Sequence, residues 1–339
     1  MRIAINGFGR VGRVFLRIAR ERGLDVVAVN DVTDTATLAH LLAFDSTYGR
    51  LGVPVDARGD ALILDGRKIA VFAEREPAKL PWADLGVDVV IESTGRFRTR
   101  DAAAAHLAAG ARKVLISAPA KGPVDATVVM GVNQGTYDPA RHDVISNASC
   151  TTNCVAPMAD VLHRHFHLRR GFMTTVHGYT NDQVLLDSPH KDLRRARSAA
   201  LNIIPTSTGA AKAVGLVIPE LAGRLDGIAL RVPVPTGSLV DLTAVLDRPA
   251  TAEQVRAAFA EEAEGRLRGV LRVTEEPAVS TDVLADPASC VIDSTLTQAD
   301  ADLVKVYGWY DNEWGYTARL ADLAEYVGAR LTASGTPAV

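Results

Sequence analysis

The chain has 339 residues, room for about two domains on the usual length prior, and 47% of them are hydrophobic, so each domain can fill a sizeable core. A formal net charge of -3 excludes an overall electrostatic pull toward nucleic acid or an anionic membrane surface. Three cysteines, an odd number spread along the chain, exclude a disulfide framework and fit a reducing compartment.

The first residues, Met1 to Ile5, run straight into a glycine-rich turn without a basic leader and apolar h-region. Apolar runs such as Val87 to Ile91 are strand-length and interrupted by acids, far short of the roughly 20 residues of a membrane-spanning helix. A soluble, cytoplasmic protein is the expectation.

Ile3-Ala4-Ile5 reads as a short strand, Gly7-Phe8-Gly9-Arg10-Val11-Gly12 as a turn, and Val14, Phe15, Ile18 and Ala19 as the apolar side of a helix. GxGxxG alone is a weak signal. Between a strand and a helix its glycines permit a tight turn, close approach of a pyrophosphate and close helix packing, while the helix start supplies amide donors. A second strand, Val26 to Val29, ends at Asn30-Asp31 and puts an acid where it can bond a ribose hydroxyl pair. A carboxylate there repels a 2′-phosphate, so Asp31 favours NAD over NADP. Further strands at Val87 to Ile91 and Lys113 to Ile116 end in Glu92-Ser93-Thr94-Gly95 and Ser117-Ala118-Pro119. In an open parallel sheet such loops line the ligand, here the nicotinamide side. Between them a helix from Ala102 to Ala109 is closed by Gly110.

The stretch from Ile145 to Cys154 leads from a strand into a helix whose apolar positions include Val155, Met158, Val161 and Leu162. Cys150 therefore sits near a helix start, where dipole and amides stabilise a thiolate and lower the thiol pKa. Cys154, one turn further, allows a rival reading as a CxxxC metal or redox pair. Zinc sites need further thiolates or imidazoles, and no second pair stands at ligand spacing, so Cys154 is assigned to the interior and Cys290 to the core. A base must take the thiol proton. His177 ends the strand-like run Phe172 to Val176 and opens a polar loop, which makes it the candidate. His163, His165 and His167, beside Arg164, Arg169 and Arg170, read as a solvated helix end, and no metal site is expected.

Together these segments resemble one family, the phosphorylating glyceraldehyde-3-phosphate dehydrogenases of the bacterial type, along nearly the whole chain. The resemblance is carried by Asn6 to Arg10, Ser146 to Cys154, Thr174 to His177, Pro189 to Arg197, Pro205 to Lys212 and Gly308 to Tyr316. It implies a Rossmann-type α/β dinucleotide-binding domain over 1–149, completed by a C-terminal helix at 316–332, and an α+β catalytic domain with a mixed sheet over 150–315. The implied chemistry is attack of Cys150 on an aldehyde, hydride transfer with His177 as base, and release of a thioester by inorganic phosphate. Thr180, Arg195 and Arg231 would hold one or both phosphates, with Ser149, Thr151, Thr208 and Gly209 around the other. For NAD the resemblance adds Asn6, Gly7, Gly9, Arg10 and Val11 at the pyrophosphate turn, Arg75, Thr94, Gly95 and Ser117 nearby, and Asn312 and Tyr316 at the nicotinamide. A homotetramer is implied, acting on glyceraldehyde 3-phosphate and phosphate.

Some positions depart from the family pattern: Ser188 before Pro189, Gly178 where Ala or Ser is common, and Val184 where a polar or basic residue is common. None is catalytic. Rival activities are oxidation of erythrose 4-phosphate and an NADP-linked variant; from another class, the chain could be a thiol redox sensor or a nucleotide-binding partner protein. Thr206 to Gly209 retains the attacking-phosphate segment and favours the phosphorylating reaction.

Overall fold

Ile3, Ala4 and Ile5 are fully buried in β1 (Arg2–Asn6), which feeds the chain through the glycine turn into α1 (Arg10–Arg22). The computed structural model describes residues 1–333. At Gly7 φ is +92°, and a Cβ there would lie 2.6 Å from the Thr94 amide nitrogen; a Cβ on Gly12 would lie 2.3 Å from the Gly7 carbonyl oxygen. Glycine is required at both places, once for the turn and once for the close seating of α1.

β2 (Asp25–Asn30) lies parallel to β1, and α2 (Thr35–Ala43), capped by Asp34, leads to a small hairpin of β3 (Phe44–Asp45) and β4 (Gly49–Arg50). β5 (Val55–Ala57), β6 (Ala61–Leu64) and β7 (Arg67–Phe72) follow, then β8 (Val89–Glu92), α3 (Arg100–Ala108), β9 (Lys113–Ile116), β10 (Ala126–Thr127) and β11 (Val144–Ser146). The sheet order is β10-β11-β9-β8-β1-β2-β7-β6-β5, parallel from β10 to β7 and antiparallel at the β6 and β5 edge. The chain moves outward from β1 through β2 to β7, then returns to β8 on the other side of β1. That reversal opens the crevice at which doubly wound sheets bind ligands, so this is a Rossmann-type unit. Two element limits differ from expectation. β8 begins at Val89 because the Val87 amide instead bonds Trp82 O in a turn, and α3 starts at Arg100, capped by Thr99.

The second sheet is mixed. α4 (Cys150–Phe166) precedes β12 (Leu168–Gly178), β13 (Ile204–Ser207), α5 (Ala210–Val217), β14 (Leu225–Val232), β15 (Ser238–Leu246) and α6 (Ala252–Glu264). β16 (Leu271–Thr274), β17 (Cys290–Asp293), β18 (Gln298–Asp300) and β19 (Leu303–Tyr310) complete it. The order is β13-β14-β12-β15-β19-β17-β16, with β18 on β19; β12–β14 and β16–β17 are parallel and the other pairs antiparallel. α4 is buried all round from Thr151 to Leu162, as a helix enclosed in a core must be. β15 alternates buried and half-buried residues along its whole length, so one face of the sheet is covered.

α7 (Trp314–Ala333) starts two positions before the expected 316 and buries Leu320, Leu323, Val327 and Leu331. By internal contacts, Met1–Val128, Gly135–Ala148 and the described residues from Thr317 form one unit; Val129–Gln134 and Ser149–Tyr316 form the other. No helix among the described residues is long and apolar enough to cross a membrane.

Candidate active site

In the first unit, a pocket of about 280 Å³ opens at the carboxyl ends of β1, β2 and β8. Its lining includes Asn6, Gly7, Gly9, Asp31, Arg75 and Thr94, all expected from the sequence. Arg10, Val11, Gly95 and Ser117 are not among its lining residues, and the Arg10 guanidinium is paired with Asp45. The Asp31 carboxylate is fixed by two backbone donors, Phe8 N at 2.8 Å and Thr33 N at 3.0 Å. α1 is preceded by Gly9, which offers no side-chain cap, and has no acid in its first turn, which leaves its positive end for an anion.

In the second unit, Ser149 caps α4 through a hydrogen bond from Thr152 N to its Oγ at 3.0 Å, and Cys150 is the first helical residue. Cys150 Sγ lies 3.4 Å from His177 Nε2. His177 stands near the end of β12 because eleven residues of strand, Leu168 to Gly178, carry it there from the far end of α4. β12 pairs in parallel with β14 so that His177 is opposite Arg231. Arg231 Nη1 comes within 2.7 Å of His177 Nδ1 and donates to Gly178 O at 3.0 Å, while Nδ1 is 2.7 Å from that same carbonyl. Only one hydrogen bond can form at Nδ1. Either Nδ1–H donates to Gly178 O, leaving Nε2 bare as a base toward the sulfur, or a bare Nδ1 accepts from Arg231 and the ring proton sits on Nε2.

Burial, reinforced by the Arg231 charge, pushes His177 down to about 3, so the imidazole is neutral at physiological pH. Burial also pushes the Cys150 thiol up, more than Arg231 and the hydrogen bond with Thr151 pull it down, although the residue keeps some exposed surface. The helix start is where the sequence placed it. The lowered thiol expected from it is not found, because desolvation of the sulfur outweighs the amides and the cation.

Thr151 Oγ1 bonds Tyr310 OH at 2.9 Å, which bonds Thr175 Oγ1 at 2.8 Å, and the Tyr310 ring stands edge-on to His177 at 5.9 Å. This buried hydroxyl chain was missed in the sequence; the alternation of β19 that turns Tyr310 inward was its only signal. Arg195 bonds Thr206 Oγ1 at 2.7 Å and pairs with Asp182, and both Arg195 and Asp182 act on the Arg231 charge. Thr180 is held by Gln183, its amide donating to Oε1 at 2.9 Å. Thr208 and Gly209 stand at the start of α5 and make no hydrogen bond to Cys150 or His177. Asn312 Oδ1 accepts from Ser238 Oγ at 2.7 Å and Thr236 Oγ1 at 3.1 Å, which orients its amide, and Tyr316 is buried in the first turns of α7. Cys154 and Cys290 are fully buried. Among the described residues no cluster of three or more His, Cys, Asp or Glu is placed to hold a metal ion.

Residues 1–100 match a family model described as the glyceraldehyde 3-phosphate dehydrogenase NAD binding domain, and residues 149–312 match the C-terminal domain of the same family. The chain is 59% identical over 335 residues to the glyceraldehyde-3-phosphate dehydrogenase of Streptomyces coelicolor, covering 98% of this chain and 99% of the relative. It is 57% identical over 332 residues to that of Geobacillus stearothermophilus, covering 97% and 99%. It is also 57% identical over 334 residues to glyceraldehyde-3-phosphate dehydrogenase 2 of Streptomyces avermitilis, covering 98% and 99%.

Proposed function

The chain belongs to the glyceraldehyde 3-phosphate dehydrogenase family, and on that premise we propose that it oxidises D-glyceraldehyde 3-phosphate to 1,3-bisphosphoglycerate with NAD and inorganic phosphate. The observation that carries this reading is Cys150 Sγ, 3.4 Å from a neutral, buried His177, at the start of a serine-capped helix. The sulfur attacks the aldehyde carbon to give a hemithioacetal, and the Cys150 backbone amide at the helix start faces the developing oxyanion. His177 Nε2 takes the hemithioacetal hydroxyl proton as the carbon loses hydride, leaving a thioester on Cys150. Its Nδ1–H then rests on Gly178 O, the arrangement in which Nε2 can accept. A phosphate oxygen attacks the thioester carbonyl, the C–S bond breaks, and the acyl phosphate departs. Sulfur suits this last step, because a serine ester would be less activated toward phosphate.

NAD fits the first unit on three grounds: the uncapped start of α1, the glycine turn, and the fixed Asp31 carboxylate. Asp31 would hold the adenine ribose, the Gly7–Val11 turn the pyrophosphate, and Thr94, Gly95, Ser117, Asn312 and Tyr316 the nicotinamide end. When bound, the cofactor supplies the hydride acceptor and a positive charge that favours the thiolate. Arg231, Arg195 and Thr180 would bind one phosphate, and Ser149, Thr151, Thr208 and Gly209 the other. Phe172, Ile228 and Leu303 share one exposed face of the second sheet, which supports burial against further copies in a homotetramer. A cytoplasmic location completes the reading.

The test is NADH formation from glyceraldehyde 3-phosphate and NAD, with and without phosphate or arsenate. Turnover that depends on the anion is expected. Absence of turnover, or turnover indifferent to phosphate, would sink the assignment.

A further inference from the structure

Around the residues proposed to hold phosphate in the second unit, the polypeptide supplies acceptors of its own. Arg195 is paired through Nη1 with Asp182; its Nε donates to Thr206 Oγ1 at 2.7 Å, with Asp192 Oδ2 at 3.4 Å, and its Nη2 reaches Ser207 O at 3.4 Å. Thr180 is occupied in the same way, its amide donating to Gln183 Oε1 at 2.9 Å and its hydroxyl to the same oxygen at 3.3 Å. A backbone N–H can only donate, so Oε1 is the Gln183 atom that faces Thr180, and Nε2 faces Asp182 Oδ2 at 3.5 Å. Gln183 is buried, and through it the turn 180–183 holds the Asp182 carboxylate against Arg195 as one hydrogen-bonded unit.

Arg231 stands in contrast. Among the described residues no carboxylate pairs with it, its Nε is buried and bonds nothing, and its guanidinium reaches only Gly178 O and His177 Nδ1, both through Nη1. A buried donor without an acceptor is a demand for an anion. Arg195 and Asp182 both act on the Arg231 charge, so the demand arises beside a cation on which a carboxylate is already seated.

That carboxylate is held loosely. The Asp182 side chain is 47% exposed, and an ion pair at such a surface contributes little net stability. A phosphate group offers three oxygens and up to two charges to a guanidinium fork, more than one carboxylate oxygen does. Resting on the proposed phosphate-dependent reaction, we infer that Asp182 is an internal competitor of the phosphate group: its carboxylate occupies Arg195 until a phosphate displaces it to solvent. Asp182 thereby holds down the affinity of the site for phosphate-bearing ligands before and after the chemical step. A residue that merely oriented Arg195 for phosphate would have the opposite effect, because its loss would weaken binding.

The test measures dissociation constants of inorganic phosphate and of glycerol 3-phosphate, which carries no aldehyde, by calorimetric titration of the NAD-loaded enzyme at fixed ionic strength. The two probes separate free phosphate from a phosphate monoester. Asp182→Asn is expected to lower the constant of at least one probe by about tenfold, the order of magnitude for removing a like charge a few ångströms from an anion at an effective dielectric between those of protein and water. Raising the salt concentration should narrow that difference, and Asp182→Glu, which keeps the charge, should bind both probes within about threefold of wild type. If neither constant falls by more than twofold in Asp182→Asn, or if Asp182→Glu falls as far, the inference is overturned; weaker binding of both probes would make Asp182 a positioning residue for Arg195. A wild type that oxidises no glyceraldehyde 3-phosphate refutes the functional reading alone, since the binding comparison needs no turnover.

Discussion

His177 is 3% exposed and held down to about 3 by burial first and Arg231 second, and this has a measurable consequence for stability. An unfolded histidine titrates near 6.5, so as pH falls from 7 to 5 the unfolded chain takes up most of a proton there while the folded chain takes up almost none. The sign follows: the folded value is depressed, so the stabilisation is fully present above about 6.5 and is lost as pH falls toward 3. Between pH 7 and pH 5 the loss from this one residue comes to about 2 kcal/mol, and carried down to pH 3 it would reach ~4 kcal/mol. Replacing His177 with Asn removes the titration and nearly preserves the volume. Urea unfolding at pH 7 and pH 5, at equal subunit concentration, should therefore show the wild type losing about 2 kcal/mol more than His177→Asn. Hydrogen–deuterium exchange at the His177 C2 position, read by mass spectrometry, should show no inflection between pH 5 and 8. An inflection near 6.5, or equal acid losses in the two proteins, would show that His177 is not held neutral by its surroundings.

Cys150→Ser should abolish NADH formation, whereas Cys154→Ser, one turn inside α4, should retain much of it; steady-state assays showing the reverse would reassign the nucleophile. Asp31→Asn should move the ratio of kcat/KM for NADP over NAD by at least about tenfold, since a carboxylate about 4 Å from a 2′-phosphate is worth ~4 kcal/mol per charge pair before screening by solvent; a ratio within threefold of wild type would contradict the role of Asp31. Gly308→Ala would place a Cβ 2.5 Å from Cys290 Sγ, 2.8 Å from Met158 Sδ and 3.2 Å from Cys154 Sγ, and should cost about 1–3 kcal/mol of stability. Adding Cys290→Ala should recover a good part of that cost in thermal unfolding, and additive losses would place the strain elsewhere.

What could be read in the sequence was local. A strand, three glycines, a helix and an acid within the first 31 residues specify the dinucleotide unit, because each acts through its own backbone turn or its nearest neighbours. Ser149 before Cys150 marks a helix start for the same reason, and His177 shows its place by ending a strand. What escaped was set by partners distant in sequence. Asn6 reaches Glu92 across 86 residues and His106 across 100, so nothing near Glu92 announces that it is buried. Arg231 could be recognised as a phosphate ligand by resemblance, yet its contact with His177 depends on strand pairing that no single segment reveals. The sequence points to a lowered thiol where burial raises it, because the helix start is visible in the sequence and the desolvation of the sulfur is not. His165, which its own segment presents as solvated, lies 3.2 Å from Glu262 on α6, a pairing equally invisible from that segment.

The parallel register of β12 and β14 sets His177 opposite Arg231 along eight matched residue pairs, Gly171 with Leu225 through Gly178 with Val232. Sliding one strand by a single position would turn Arg231 to the opposite face of the sheet and bring Leu230 or Val232 against the imidazole. Insertions and deletions between residues 179 and 224 leave the register untouched, whereas one within either strand removes base and cation together. The connection itself carries Thr180, Arg195, Thr208 and Gly209, so a change of length there would spare the pairing of base and cation but displace the proposed phosphate ligands.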